Sequence, residues 1–183
     1  MSYRITARVF QTNPTAYFHI AEMAVLTKGS WSVTDDEYVL TMDNSGTSGT
    51  LRFLADNGEN FLVALGVHNS RRWCDIVTNL TNEQTAVLIN PQYYVPGVRA
   101  TQRERQLTTY NVRNSRGRTF TVNYTVTEGN NLRCNIMIGW SECFSAECFS
   151  TLIAEVTEVA FVFSWSWLLS SLSSHCNVTD SAL

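Results

Sequence analysis

The chain has 183 residues, 44% of them hydrophobic and 16% charged, a balance that suits one globular domain with a buried core and excludes a disordered chain. Its formal net charge of −3 is unevenly spread: all 13 Lys and Arg precede residue 140, while residues 140–183 carry Glu142, Glu147, Glu155, Glu158 and Asp180 and no basic group. The body is therefore nearly neutral, too weak a field to gather nucleic acid by charge.

The opening Met1-Ser2-Tyr3-Arg4 lacks the apolar stretch of a secretory signal, so a cytoplasmic protein with reduced thiols is expected. A strand starts near Tyr3, with Ile5, Ala7 and Val9 on one face and Thr6 and Arg8 on the other. Further strands are expected at Tyr17–Val25, Glu37–Met42, Thr50–Ala55, Asn60–Val67, Arg71–Thr78, Thr119–Val126 and Leu132–Ile138. Between them, Asp56-Asn57-Gly58-Glu59, Asn114-Ser115-Arg116-Gly117 and Glu128-Gly129-Asn130-Asn131 have the chemistry of hairpin turns. The middle differs. Thr81-Asn82-Glu83-Gln84 reads as a capping box before Thr85–Ile89, with Pro91 as the stop, and Arg99–Leu107 is rich in helix formers. The sum is a mainly β protein, an antiparallel β-sandwich over residues 1–139 with a short helix-loop-helix insertion. Residues 140–183 form a separate acidic, Ser- and aromatic-rich extension. Its apolar run Val159–Leu169 is about half of what a membrane span needs.

Catalytic patterns do not emerge. His19, His68 and His175 have no metal-ligand spacing, and neither GxSxG nor a P-loop occurs, so no enzyme activity, metal or cofactor is expected. The five cysteines include no CxxC pair. Asp35-Asp36-Glu37 reads as an exposed turn rather than a calcium loop, and Cys74 as a buried small hydrophobe. Two clusters suit polyhydroxylated ligands, which need amides or carboxylates for paired hydroxyls, small residues for close approach and apolar surface for C–H faces. They are Ser45-Gly46-Thr47-Ser48-Gly49 with Gly66-Val67-His68-Asn69, and the strand-like run around Asp75. On a regular strand Asp75 and Val77 share one face, and Ile76 and Thr78 the other.

The runs Ser45–Gly49, Gly66–Asn69 and Arg72-Trp73-Cys74-Asp75-Ile76-Val77-Thr78-Asn79-Leu80 strongly resemble the fungal fruit-body lectin family. So do Val9-Phe10-Gln11-Thr12, Tyr93-Tyr94, Gln106-Leu107 and Tyr124-Thr125-Val126-Thr127-Glu128-Gly129-Asn130, and the resemblance extends in order over about residues 2–139. It implies an actinoporin-like β-sandwich, assembly as a homotetramer unless the extension prevents it, and glycans as partners. It also implies two sugar sites. One, for galactose or N-acetylgalactosamine including Galβ1-3GalNAc, would use Ser45, Gly46, His68 and Asn69. The other, for N-acetylglucosamine, would use Asp75, Ile76, Thr78, Arg99 and Tyr110. The family typically has a longer loop where this chain has Thr27-Lys28-Gly29-Ser30-Trp31, and a Gly-Gly pair where it has Asp43-Asn44. Those departures adjoin the first site, so the sharper expectation falls on the second. Trp73 is expected in the core rather than under a sugar.

The leading expectation is glycan binding without catalysis, in a defence role and without stable membrane insertion. A membrane-acting, pore-forming-like protein is the alternative, prompted by the implied fold and by the aromatic run Phe161 to Trp167. Nucleic-acid binding, prompted by Arg71-Arg72-Trp73 and the basic stretch Arg99–Arg105, ranks third.

Overall fold

The structure, a computed structural model, describes residues 1–12 and 16–139. The expectations for 140–183, including the run Val159–Leu169, lie outside the described residues.

Among the described residues, ten strands form two sheets. In chain order they are β1 (Tyr3–Gln11), β2 (Phe18–Val25), β3 (Gly29–Thr34), β4 (Glu37–Met42), β5 (Thr47–Ala55), β6 (Asn60–His68), β7 (Arg71–Thr78), β8 (Thr109–Arg113), β9 (Thr119–Val126) and β10 (Asn131–Gly139). The larger sheet runs β3-β4-β1-β10-β9-β8 and the smaller β2-β5-β6-β7. The β-sandwich is thus as expected, with one departure from an all-antiparallel arrangement. β1 and β10 pair in parallel at the centre of the larger sheet, Ile5 opposite Leu132 and Gln11 opposite Ile138.

Alternation explains the main core. Ile5 and Ala7 of β1, Leu51 and Phe53 of β5, Phe61, Val63 and Leu65 of β6, and Val122 and Ile136 of the facing sheet are all buried between the layers. At one end Phe53 and Phe61 stack at 4.6 Å, and Phe120 closes on Phe61 at 4.1 Å.

Beside the aromatics lies a buried ion pair. Glu59 receives Arg118 Nε at 2.8 Å and Nη2 at 3.0 Å, with Asn114 and Asn57 amides each at 2.8 Å. These donors, Arg118 foremost, hold its carboxyl down at about 2 against the opposing effect of burial.

A second, smaller core lies on the outer face of the small sheet. Leu62, Ala64 and Trp73 of the strands are covered by Ala86, Ile89 and Tyr93 of the insertion. Trp73 is fully buried, as expected. The insertion comprises α1 (Ala86–Ile89), a 3-10 turn (Asn90–Tyr94) and α2 (Val98–Glu104). Gln84 does reach back to the Thr81 amide at 2.9 Å, but α1 starts later, capped by Thr85, whose hydroxyl accepts from Leu88 N at 3.3 Å. Pro91 does not stop the segment. It occupies the first turn of the 3-10 continuation, where its missing N–H costs nothing. α2 ends at Glu104 rather than Leu107, because Gln106 takes a left-handed φ of 49°.

Two local expectations need adjustment, and a third, the exposed turn at Asp35-Asp36, holds. Residues 29–34 are a strand, so the link between β2 and β3 is only Leu26-Thr27-Lys28, clamped by Thr47 Oγ1 to Thr27 O at 3.1 Å and Asp43 N to Lys28 O at 3.0 Å. Thr47, Ser48 and Gly49 belong to β5 and are buried, leaving Ser45 and Gly46 alone in the preceding loop. Asp35 and Asp36, with φ of 51° and 59°, make the tight β3–β4 turn, and Glu37 pairs with Arg8 at 2.6 Å.

Candidate functional site

β7 is an edge strand, and its alternation sends Cys74 and Ile76 inward between the sheets while Trp73, Asp75 and Val77 face the insertion. Asp75 is only 5% exposed. Its Oδ2 accepts from the Tyr93 hydroxyl at 2.6 Å and lies 3.9 Å from Arg99 Nη1. Arg99 is aimed by Gln92, whose Oε1 accepts from Nε at 2.9 Å, and its guanidinium sits 5.8 Å from the centre of the Tyr93 ring. Burial pushes the Asp75 carboxyl above its ordinary value. The Tyr93 hydroxyl, the Ile76 amide and the charges of Arg99 and Arg105 oppose that push. Tyr110, half-buried on β8, is within electrostatic reach: burial and then the Asp75 charge raise its phenol.

Asp75 and Arg99 are thereby brought together, while Tyr110 packs against the main core and is linked to them only through the Asp75 charge. Ile76 and Thr78 lie on the opposite face of β7 from Asp75. The Ile76 side chain is 4% exposed and packed in the main core, so only its backbone can meet a ligand there. Thr78 stands on Ile76's side of the strand end, where its hydroxyl accepts from Asn79 Nδ2 at 3.4 Å.

The other four residues gather at one end of the sandwich. Asn69 and Ser70, with φ of 50° and 61°, form the two-residue turn that joins β6 to β7. Ser70 N donates to Ser45 Oγ at 3.0 Å and Gly46 N to Val67 O at 2.7 Å, which binds the β4–β5 loop to that turn. Gly46 has a φ of 90° and open space where a Cβ would stand. His68 Nε2 lies 3.1 Å from Glu104 Oε1, and its carbonyl accepts from Gln106 Nε2 at 3.2 Å. Ser45, Gly46, His68 and Asn69 are therefore neighbours.

The amino-acid run that builds both clusters is matched by the family model for fungal fruit body lectins over residues 1–136. The chain belongs to the fungal fruit body lectin family. This lectin is 53% identical over 141 residues to Boletus edulis lectin, a match spanning 75% of this chain and 99% of the other. The solved structure of wild-type Xerocomus chrysenteron lectin XCL superimposes with a TM-score of 0.74 at 50% identity, covering 76% of this chain and 100% of that one. A methionine-substituted form of XCL gives the same TM-score and identity. Membership makes the protein a carbohydrate-binding lectin of a non-catalytic family.

In this lectin, several residues that shape the clusters carry no motif. Tyr93 and Gln106 lie in runs that supported the resemblance, but nothing in their spacing announces a hydrogen bond to Asp75 or to His68. Gln92 and Glu104 are exposed polar residues of the insertion that no sequence pattern singles out. Cys74, adjacent to Asp75, is buried, and its thiol is raised to about 12 by that burial. It is an inert packing residue, as expected.

Proposed function

We propose that this lectin binds glycans ending in N-acetylglucosamine at Asp75, Arg99 and Tyr110, with Ile76 and Thr78 at the rim. A second cluster, Ser45, Gly46, His68 and Asn69, takes galactose or N-acetylgalactosamine, including Galβ1-3GalNAc. The observation that carries the reading is the pairing of Asp75 with Arg99, both oriented by the 3-10 turn through Tyr93 and Gln92. A carboxylate has about four lone-pair positions, and the Tyr93 hydroxyl takes one. Sugar hydroxyls are suited to the others, and the Arg99 guanidinium to an acetamide oxygen. Fixed donors and acceptors reduce the ordering cost of binding a flexible saccharide.

One shallow site with a Kd near 1 mM corresponds to roughly −4 kcal/mol, so useful avidity comes from several sites on a homo-oligomer. A defence role against animals that eat the fungus fits such multivalent capture. A glycan array on the purified chain tests the reading. N-acetylglucosamine-ended glycans are expected among the binders, and their absence refutes the site at Asp75. The membrane-acting alternative has less support. β1 is paired on both sides, to β4 and β10, and a pore-forming segment must leave the body. Among the described residues no helix is long and apolar enough to cross a membrane. Leakage of dye from glycan-free liposomes would favour that alternative.

A further inference from the structure

Next to the galactose-type cluster, the start of β7 and the β9–β10 loop enclose a recess lined by Ser70, Arg71, Arg72, Thr127, Glu128 and Leu132. It is continuous with that cluster through Ser70, whose amide donates to Ser45 Oγ. Arg71, Arg72 and Glu128 line it together, and among the described residues neither arginine forms a salt bridge, with Glu128 or with any other acid. Arg72 Nε is buried without a hydrogen-bond partner. The arginines of the insertion contrast with this: Arg99 is engaged by Gln92 and Asp75, and Arg103 by Glu104 at 2.5 Å. A guanidinium remains charged at every relevant pH, and a partly desolvated one without a counter-charge is a costly arrangement that an anion relieves. Its planar fork matches the oxygens of a carboxylate or a sulfate.

We propose that this recess binds an anionic substituent, a carboxylate or a sulfate, on a glycan whose neutral part occupies Ser45, Gly46, His68 and Asn69. The proposal rests on the galactose-type reading of those four residues and adds acidic saccharides to the ligand class. Asn69 and Arg72 are three residues apart, at most about 10 Å of chain, so one short oligosaccharide can bridge them. The Thr127 hydroxyl supplies a further donor. Glu128 opposes the anion and limits the gain.

The test is calorimetric titration at low salt with Galβ1-3GalNAc and with the same disaccharide bearing a sulfate or a carboxylate on galactose. The wild type is expected to bind the charged forms about tenfold more tightly than the neutral one, the worth of a charge-assisted contact. That advantage shrinks as salt rises. Arg72→Gln should remove most of the advantage while leaving neutral affinity in place, and Glu128→Gln should widen it. A gain confined to the sulfated or to the carboxylated sugar identifies which anion is taken. Equal binding of charged and neutral sugars by the wild type overturns the proposal, as does an advantage that survives both Arg71→Gln and Arg72→Gln. A neutral disaccharide that does not bind overturns the galactose-type reading instead, and the proposal falls with it.

Discussion

Replacing Asp75 with Asn keeps the shape of the side chain and an oxygen for the Tyr93 hydroxyl, but removes the charge that faces Arg99. A hydrogen bond to a charged group contributes about 1.5–3 kcal/mol, so affinity for N-acetylglucosamine-ended glycans should fall roughly 10- to 150-fold. Stability should move the other way or not at all. Burial raises the Asp75 carboxyl above 3.8, so its ionised form is less favourable in the folded chain than in the unfolded one. Between 3.8 and the raised value the folded state binds more protons. This group therefore stabilises the fold most below 3.8, and that contribution is lost as pH climbs through the raised value. At pH 7 the neutral Asn escapes the penalty, and Tm is expected to be unchanged or slightly higher. In the wild type, sugar affinity should weaken on acidification at a higher pH than an ordinary carboxylate would give. Isothermal titration calorimetry over a pH series, with scanning calorimetry of both proteins, reads all three effects. Affinity within twofold of wild type in a folded Asp75→Asn protein refutes the site, and a Tm loss of several degrees refutes the burial argument.

Tyr93→Phe keeps the ring against Trp73 (centroids 4.8 Å apart) but deletes the donor to Asp75. Sugar affinity should drop several-fold and the acid limb of binding should move to higher pH; an unmoved limb in pH-resolved titrations counts against Tyr93 as a positioning residue. Glu59 is 6% exposed and its carboxyl is lowered from 4.5 to about 2, so Glu59→Gln should cost about 3 kcal/mol at pH 7 in urea unfolding. The same stabilisation in the wild type is present above 4.5 and should disappear as pH falls towards 2. A loss under 1 kcal/mol at pH 7 would show the Arg118 pairing to be only compensatory. Gly66→Ala places a Cβ 2.7 Å from both Thr47 O and Trp73 Nε1, and backbone cannot retreat cheaply, so roughly 1–3 kcal/mol of destabilisation is expected by thermal melts.

The strands that face the core on one side were legible from alternation, because burial on one face writes period two directly into the sequence. The two strands without that signature, β3 and β8, are the two edges of the larger sheet. β3 has one half-buried aromatic, Trp31, among exposed neighbours, and β8 has Tyr110 and Val112 only partly covered, so neither leaves a strong apolar pattern. The start of β5 was hidden for a different reason. Thr47 and Ser48 look like loop residues, but their hydroxyls are satisfied by Thr27 O and, at 2.6 Å, by Asn90 Oδ1 from the insertion. Such long-range partners are invisible in a local window. The same holds for the clusters. Asp75 and Arg99 stood out through resemblance, whereas Tyr93, Gln92, Glu104 and Gln106 matter only because the insertion folds back onto β6 and β7.

The parallel junction of β1 with β10 ties together the first and last strands of the domain. During synthesis the segment from β1 to β4 and the segment from β8 to β9 therefore wait for one final strand to join them. Until residue 139 clears the ribosome, β1 offers an unpaired edge to other nascent chains. Closure over so large a separation is slow, so chaperone protection in that interval should matter more for the yield of this protein than any single contact in its finished form.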